Sequence, residues 1–489
     1  MSAAGIDAIL IAALLAPPLA SAVVAAAARR RPAAGAWFNA AAMGITLLAA
    51  AVIALRVVSG RGPVVAGTLW RLDALSALLA LLVSVVATLA AWLGPGLERG
   101  GPGAETTAFR VYANLFACMM LLAVSTGNLG VMWVAIEATT VTSALLIPVR
   151  RTPAAIDASW KYLLIGSVGI ALAFAGTVLA FVDYASSGGE LELALQWTTL
   201  RAAAPALHPE VVQLAFVFLL VGFGTKAGLA PMHTWLPDAH SEAPAPLSAM
   251  MSGVLLAVAL YAVARWKVIV DVAIGSAFTD TMLVVVGAAT VAVGAASLLS
   301  QTQYKRVLAF SSIEHMGLAC MALGLGPLGA FAALLHLVGH GLAKSVAFLL
   351  SGRIYQRYGS ADIGAVSGLI SAAPGTAILF AAAVLALAGL PPFGLFLSEI
   401  LILQAAWAAG HVWLTVLVLV LMLLAFAALT TQLQRMLLGR APAERGAGES
   451  PRAPLTVLAV PMVLLASIGV VMPAPLYDLL TRAAEVLRP

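Results

Sequence analysis

Seven ionisable side chains, Glu137, Lys226, Glu314, His336, His340, Lys344 and Glu399, stand inside stretches that otherwise read as hydrocarbon-soluble helix. Holding one charge at the centre of a bilayer costs at least about 2.5–3.5 kcal/mol on insertion scales. A chain that carries both signs at several depths is expected to use them, and the chemistry they offer is proton or ion transfer. His336, His340 and Lys344 are spaced i, i+4, i+8, so they share one helix face, drifting about 40° and rising about 6 Å per step. Imidazole suits a shuttle, because an unperturbed pKa of about 6.5 puts both protonation states within reach. Gly339 and Gly341 leave room beside the rings for water or a neighbouring helix. Structural hydrogen bonding and metal ligation are the alternatives, and no acid or thiol lies close in sequence to complete a metal set. Glu314 and His315, two turns into their own span, can extend a relay toward this face.

Glu137 lies in the middle of its span, too deep to snorkel, and a carboxylate there wants a cation. Lys226 is the natural candidate. Burial and a paired acid push a lysine's proton affinity in opposite directions, so a change of pairing would load or release a proton; a permanent structural ion pair is the other reading. Lys226 directly precedes a helix break at Gly228 and Pro231. A second break, at Gly389, Pro391 and Pro392, repeats the order Gly-Leu-x-Pro 161 residues later and is followed by Glu399. Unwound backbone in a membrane exposes amides and carbonyls that can hold water or ions. Paired breaks of this kind point to inverted repeats with a site near the midplane, although a lone proline also merely kinks a helix.

The elements that position these groups follow from composition. Of 489 residues, 62% are hydrophobic and 10% charged, far from the roughly quarter-charged make-up of soluble domains. Windows of about 20 apolar residues, the length that spans a hydrocarbon core, recur fourteen times from end to end. The expected fold is an all-α polytopic membrane protein of about fourteen transmembrane helices. The stretch 373–438 is too long for two simple helices and is divided here into 373–396 and 400–438. Most of the 26 lysines and arginines fall in the odd-numbered connections, which the positive-inside rule assigns to the cytoplasm, with both termini outside. No cleaved leader is expected, because Met1 to Leu15 has no basic residues. Net charge +5 follows from the loop bias and implies no nucleic-acid partner. Cys118 and Cys320 stand alone and read as small core residues. Lys161, Arg150, Arg151, Arg265 and Lys267 read as interface anchors, Lys305 and Arg306 as topology signals that snorkel. Asp238, His240 and Glu242 read as a solvated turn or the mouth of a path.

Several motifs resemble those of the antiporter-like membrane subunits shared by respiratory complex I, Mrp-type cation/proton antiporters and energy-converting nickel-iron hydrogenases. They are Lys226 with Ala-Pro-Met-His-Thr-Trp-Leu-Pro-Asp-Ala-His at 230–240, Lys-Arg-Val-Leu-Ala-Phe-Ser-Ser at 305–312, the His336/His340/Lys344 face, and Gly-Leu-Pro-Pro-Phe with Glu399. Ser-Ser-Ile-Glu-His-Met-Gly at 311–317 is most similar to hydrogenase-4 component F. The resemblance implies two inverted five-helix repeats, each with a broken helix, at 108–270 and 271–440, preceded by three helices in 1–107 and followed by a last helix and tail in 441–489. It implies proton-transfer roles for Glu137, Lys226, Glu314, His315, His336, His340, Lys344 and Glu399.

It further implies an inner-membrane protein that works beside other membrane subunits and a peripheral redox module. Nickel-iron and iron–sulfur centres belong to those partners, and no cofactor or metal is expected in this chain. The transported species would be protons or Na+. A stand-alone Na+(K+)/H+ antiporter and a non-conducting scaffold are the competing expectations. The scaffold reading draws on a gap: relatives carry a His or Lys in the eighth helix, where 246–264 offers only Ser248, Ser252 and Tyr261.

Overall fold

The computed structural model describes residues 3–28, 32–97, 104–439 and 455–489. In chain order its helices are α1 Ala3–Ala27, α2 Pro32–Val58, α3 Ala74–Leu97, α4 Ala104–Ser125, α5 Leu129–Ala144, α6 Pro153–Ser186, α7 Trp197–Ala203, α8 Pro209–Ala227, α9 Trp235–Glu242 and α10 Ala245–Met250. They continue as α11 Leu256–Ile274, α12 Ala277–Leu298, α13 Tyr304–Leu323, α14 Gly326–Tyr358, α15 Leu369–Ala372, α16 Pro374–Leu387, α17 Gly394–Ala408, α18 Val412–Leu437, α19 Leu455–Val470 and α20 Ala474–Val486. A small antiparallel hairpin pairs Val64–Ala66 with Trp70–Leu72. The chain is an all-α polytopic membrane protein. Helices dominate because lipid offers backbone groups no hydrogen-bond partner, so each apolar run satisfies its own. Leu48, Val168, Leu423 and Val463 are all more than half exposed, the outward apolar surface that a bilayer covers.

Among the described residues eleven helices are long and apolar enough to cross a membrane, or twelve if α19 and α20, bent by 76°, form one span. The fourteen windows differ from this count for local reasons. Helix α13 has the length but carries Lys305, Arg306 and Glu314, and α16 and α17 are each too short alone. The break expected at Gly389, Pro391 and Pro392 lies between Leu387 and Gly394, but the division at 396–400 is misplaced: it falls inside α17, and the chain turns at Ala409–His411. The apolar run is continuous across both sites, so hydropathy alone could not locate the turn. The arginines at 29–31 and the basic residues of 440–454, which weigh in the loop count, lie outside the described residues.

Both breaks end a helix in the same way. Gly228 takes φ +74° and Gly389 φ +70°, the left-handed conformation that glycine adopts without a Cβ penalty. In each case the following leucine donates its amide five residues back, Leu229 to the Gly224 carbonyl at 2.9 Å and Leu390 to the Leu385 carbonyl at 3.1 Å. This is the Schellman termination, and the repeated Gly-Leu-x-Pro is its sequence signature. Side chains take carbonyls near each helix end: Trp235 Nε1 donates to Thr225 O at 2.9 Å, and His315 Nε2 donates to Leu387 O at 3.1 Å. These carbonyls at the two helix ends are therefore satisfied, although Pro231, Pro391 and Pro392 themselves lie exposed.

After the first break the chain folds through α9 into a 30-residue span, Ala245–Ile274, buried among other helices up to Asp271 and partly exposed over its last three residues. A π-turn at Met251–Leu255 interrupts it. Gly253 lies on this turn, and Gly341 faces it from α14. A Cβ on Gly341 would come 2.7 Å from the Gly253 carbonyl, and one on Gly253 would come 3.1 Å from that of Gly341. Small residues thus let two buried backbones touch. The space beside the histidine face is filled by helices: Gly339 packs on Leu395 of α17.

Candidate functional site

The first cluster of ionisable groups is built by α5, α6 and α8. Lys226 is fully buried in the last turn of α8, where the break holds it. Its Nζ donates to the Tyr162 hydroxyl at 2.7 Å and lies 4.5 Å from the centre of that ring. Tyr162 in turn shares a proton with Ser143 Oγ at 2.7 Å. Glu137 is half-buried and accepts from Thr140 Oγ1 at 3.0 Å and Ser167 Oγ at 3.2 Å. Glu137 and Lys226 thus influence each other electrostatically without a contact ion pair, each satisfied by neutral hydroxyls.

The second cluster draws on α13, α14, α16 and α17. Lys344 is fully buried; its Nζ donates to Leu308 O at 2.6 Å and Ser311 Oγ at 2.8 Å. Glu314, 3% exposed, places a carboxylate oxygen 3.8 Å from His315 Nε2. His315 Nδ1 and His336 Nε2 are 3.0 Å apart, and His336 Nδ1 is 2.9 Å from Ser398 Oγ. His340 stacks obliquely beside His315, ring centres 5.3 Å apart, with no hydrogen-bond partner on either ring nitrogen. Glu399 bends its carboxylate back over the second break, so that a Cβ on Gly389 would lie 2.0 Å from its Oε2. The acid and the break that the sequence sets ten residues apart form one structure. Helical spacing places His336, His340 and Lys344 on one face, and the structure brings His315 of α13 and Ser398 and Glu399 of α17 against it.

Among the described residues no side-chain hydrogen bond joins the two clusters. Ser252 and Ser312 bond to each other at 2.7 Å, Ser248 donates to His240 O at 3.0 Å, and Tyr261 faces Ser76 at 3.1 Å. What sequence reasoning missed is His240. The polar, proline-rich link reads as a solvated turn, yet His240 is fully buried, stacked 5.2 Å from Phe348, with both ring nitrogens unpartnered. It interacts electrostatically with Lys344 and His340. The available signal was the face formed by Trp235, Leu236, Ala239 and Ala243, all fully buried, which carries His240 inward.

Three basic residues also depart from the sequence reading. Arg265 is a buried structural cation, not an interface anchor: it grips Asp73 with bonds of 2.6 and 2.7 Å and Ser76 at 2.9 Å. Lys267 is likewise enclosed, against Asp271 and Asp280. Asp73 and Asp280 lie on other elements, which hid those pairings, whereas Asp271 follows Lys267 by one turn within α11. Lys305 does not snorkel; it is buried and donates to the Ser241 and Ala243 carbonyls at 2.8 and 2.7 Å, tying down the end of α9. Arg306 and Lys161 both reach Asp238 at the surface. Cys118 and Cys320 are buried and free, as core residues.

The chain matches the family model described as NADH:quinone oxidoreductase/Mrp antiporter, TM, over residues 126–425. It is 42% identical over 307 residues to a hydrogenase-4 component F homolog of Methylacidiphilum infernorum (isolate V4), an alignment covering 62% of this chain and 64% of that relative. The chain therefore spans a little less than two thirds of that relative's length. Its fold superposes on a chain of the membrane-bound sulfane sulfur reductase, an archaeal respiratory membrane complex. That TM-score is 0.87 with 26% identity, over 98% of this chain and 97% of the other. A chain of respiratory complex I from Thermus thermophilus matches with a TM-score of 0.75 and 27% identity, over 94% and 96%. Because the family match takes in both broken helices, Lys226 and every member of the second cluster, the chain belongs to the transmembrane family of NADH:quinone oxidoreductase and Mrp antiporter subunits.

Proposed function

We propose that this chain is a proton-translocating membrane subunit of a redox-driven complex of the hydrogenase type, in which electron transfer takes place in partner subunits. The observation that carries the reading is the pairing pattern. Lys226 and Lys344 are fully buried, yet their ammonium groups rest on hydroxyls and a carbonyl, with no carboxylate in salt-bridge contact. A buried ion kept for stability is expected in contact with its counter-ion. Groups held apart at intermediate depth are instead free to exchange protons as neighbouring charge changes.

In this scheme a redox-linked change in charge beside Glu137 shifts the proton on Lys226. Water carries the proton between clusters, past the serines of the enclosed span, to His240 and Lys344. His315 and His336 pass it on, and Glu399 delivers it at the second break. The half-exposure of Glu137 fits a flank covered by a neighbouring subunit. Two inverted five-helix repeats, residues 108–270 and 271–440, account for the matching breaks, and fourteen spans follow if α13, the α16–α17 pair and the α19–α20 pair each cross. On this topology both termini face away from the cytoplasm. Similarity to a hydrogenase-4 component supports a hydrogenase partnership, with nickel-iron and iron–sulfur centres outside this chain.

Glu399→Gln is the direct test. The variant keeps shape and burial but cannot release a proton, so protons moved per electron by the intact complex fall sharply while electron transfer continues at a reduced rate. Undiminished pumping would reject the scheme. Cation/proton exchange by the isolated chain in vesicles, with no redox donor, would favour a secondary antiporter instead.

A further inference from the structure

The second cluster also gathers three buried groups of metal-ligating type. The inward nitrogens of two imidazoles, His315 Nδ1 and His336 Nε2, face each other at 3.0 Å, and one ligand atom each from His315, His336 and Glu399 lie within 4.8 Å of one another. All three residues are buried, and Glu399 alone keeps measurable exposure, 7%. The outward nitrogens are both engaged. His315 Nε2 donates to the Leu387 carbonyl, an acceptor only, which fixes Nδ1 as the lone-pair nitrogen of the neutral ring. His336 Nδ1 meets Ser398 Oγ, and Ser398 has its own acceptor in the Leu395 carbonyl at 2.7 Å.

Two proton arrangements satisfy these contacts. In one, Ser398 donates to His336 Nδ1 and His336 Nε2–H donates to His315 Nδ1. In the other, Ser398 donates to Leu395 O, His336 Nδ1–H donates to Ser398 Oγ, and two lone pairs confront each other across 3.0 Å. The second arrangement is stable only with a cation between the rings. It is also the arrangement in which each imidazole donates its outer N–H to a carbonyl or hydroxyl, the support that metal-bound histidines nearly always have. Zn–N and Zn–O bonds of about 2.0–2.2 Å set ligand atoms about 3.4 Å apart in a tetrahedron, so the imidazole nitrogens at 3.0 Å part slightly and the carboxylate, within 4.8 Å, closes in. His340, with both ring nitrogens unpartnered and its ring centre 5.3 Å from that of His315, lies outside this group of three but beside it, and is the nearby donor without a competing partner.

We propose that His315 Nδ1, His336 Nε2 and the Glu399 carboxylate, joined by His340, form a binding site for a divalent transition-metal ion of the zinc type. Nitrogen and carboxylate donors without thiolate suit Zn2+ and its Co2+ stand-in over soft Cu(I), and the imidazoles exclude a site for Mg2+ or Ca2+. The ion arrives past Glu399, beside the broken backbone. Binding occupies both inward imidazole nitrogens, so a bound ion blocks their proton exchange; this consequence, unlike the site itself, rests on the function proposed above.

The test uses the full chain, purified in detergent and stripped of metal, titrated with Zn2+ by calorimetry and with Co2+ by visible absorption. One equivalent binds, and cobalt shows the strong bands of a four-coordinate nitrogen and oxygen site. His336→Gln weakens binding more than Ser398→Ala does. Ser398→Ala keeps every ligand but removes an outer support, and costs about 10- to 100-fold in affinity. His411→Gln, on the surface, changes nothing. No stoichiometric binding, or binding that His336→Gln and Ser398→Ala both leave intact, overturns the site; should His336→Gln misfold, Ser398→Ala decides. Zn2+ that binds at this cluster but leaves proton translocation by the intact complex unaffected would uphold the site and sink the relay.

Discussion

Lys344→Met in the intact complex is expected to abolish most proton translocation while leaving the helices assembled. Methionine fills nearly the same volume, and the Leu308 carbonyl it releases still accepts Ser312 Oγ at 3.0 Å, so the change leaves no wholly orphaned backbone group. What disappears is a basic site at full burial between His240, Glu314 and the histidine pair. A proton obliged to pass that depth without such a site meets at least about 2.5 kcal/mol of added cost, which slows transfer about 70-fold. Protons moved per electron, measured in inverted membrane vesicles with the redox reaction monitored in parallel, report this directly. Normal stoichiometry in a correctly assembled Lys344→Met complex would remove the second cluster from the path.

The largest effect on stability belongs to a pair with no place in transfer. Asp73 takes both ends of the Arg265 guanidinium and, through its Oδ1, the amide of Ser76 at 3.1 Å, capping α3. Arg265 also lies over Trp197 at 4.6 Å and Tyr261 at 5.0 Å. Asp73→Ala strands a buried cation and is expected to cost about 3–5 kcal/mol, seen as a fall in the thermal midpoint of the detergent-solubilised protein and in its yield. Replacing both partners, Asp73→Leu with Arg265→Met, recovers much of that loss, because the desolvation penalty goes with the charges. A loss below about 1 kcal/mol for Asp73→Ala alone, the range of an exposed pair, would show that water reaches this site.

The contrast between these two cations marks what was readable beforehand. Gly-Leu-x-Pro announced both breaks, because a left-handed glycine and a following leucine are what a Schellman end requires, and this is local. The i, i+4, i+8 spacing put His336, His340 and Lys344 on one face for the same reason. Partnerships across the fold were not legible. Asp73 and Arg265 are 192 residues apart, and nothing in the apolar run around Arg265 separates a structural cation from an interface anchor. His240 was lost to average polarity: Pro237, Asp238, Ser241 and Glu242 surround it, although the face with Trp235 and Ala239 turns inward. Glu399 was expected beside the break but not folded over it, since only the turn at Ala409–His411 shows that α16 and α17 belong together. Charge alone pairs Glu137 with Lys226; their direct hydrogen-bond partners are hydroxyls on α5 and α6, and Glu137 acts on Lys226 electrostatically without contact.

On the proposed function two separate buried clusters operate in series on one proton path, joined by water across the gap between Lys226 and His240. Protons moved per electron in Lys226→Met, Lys344→Met and the double variant test it together. Steps in series give single variants that each fail and a double variant no worse than the weaker single, a strong departure from additivity. Single variants whose losses multiply in the double, or a Lys226→Met complex that pumps normally, would show that the clusters act independently or not at all.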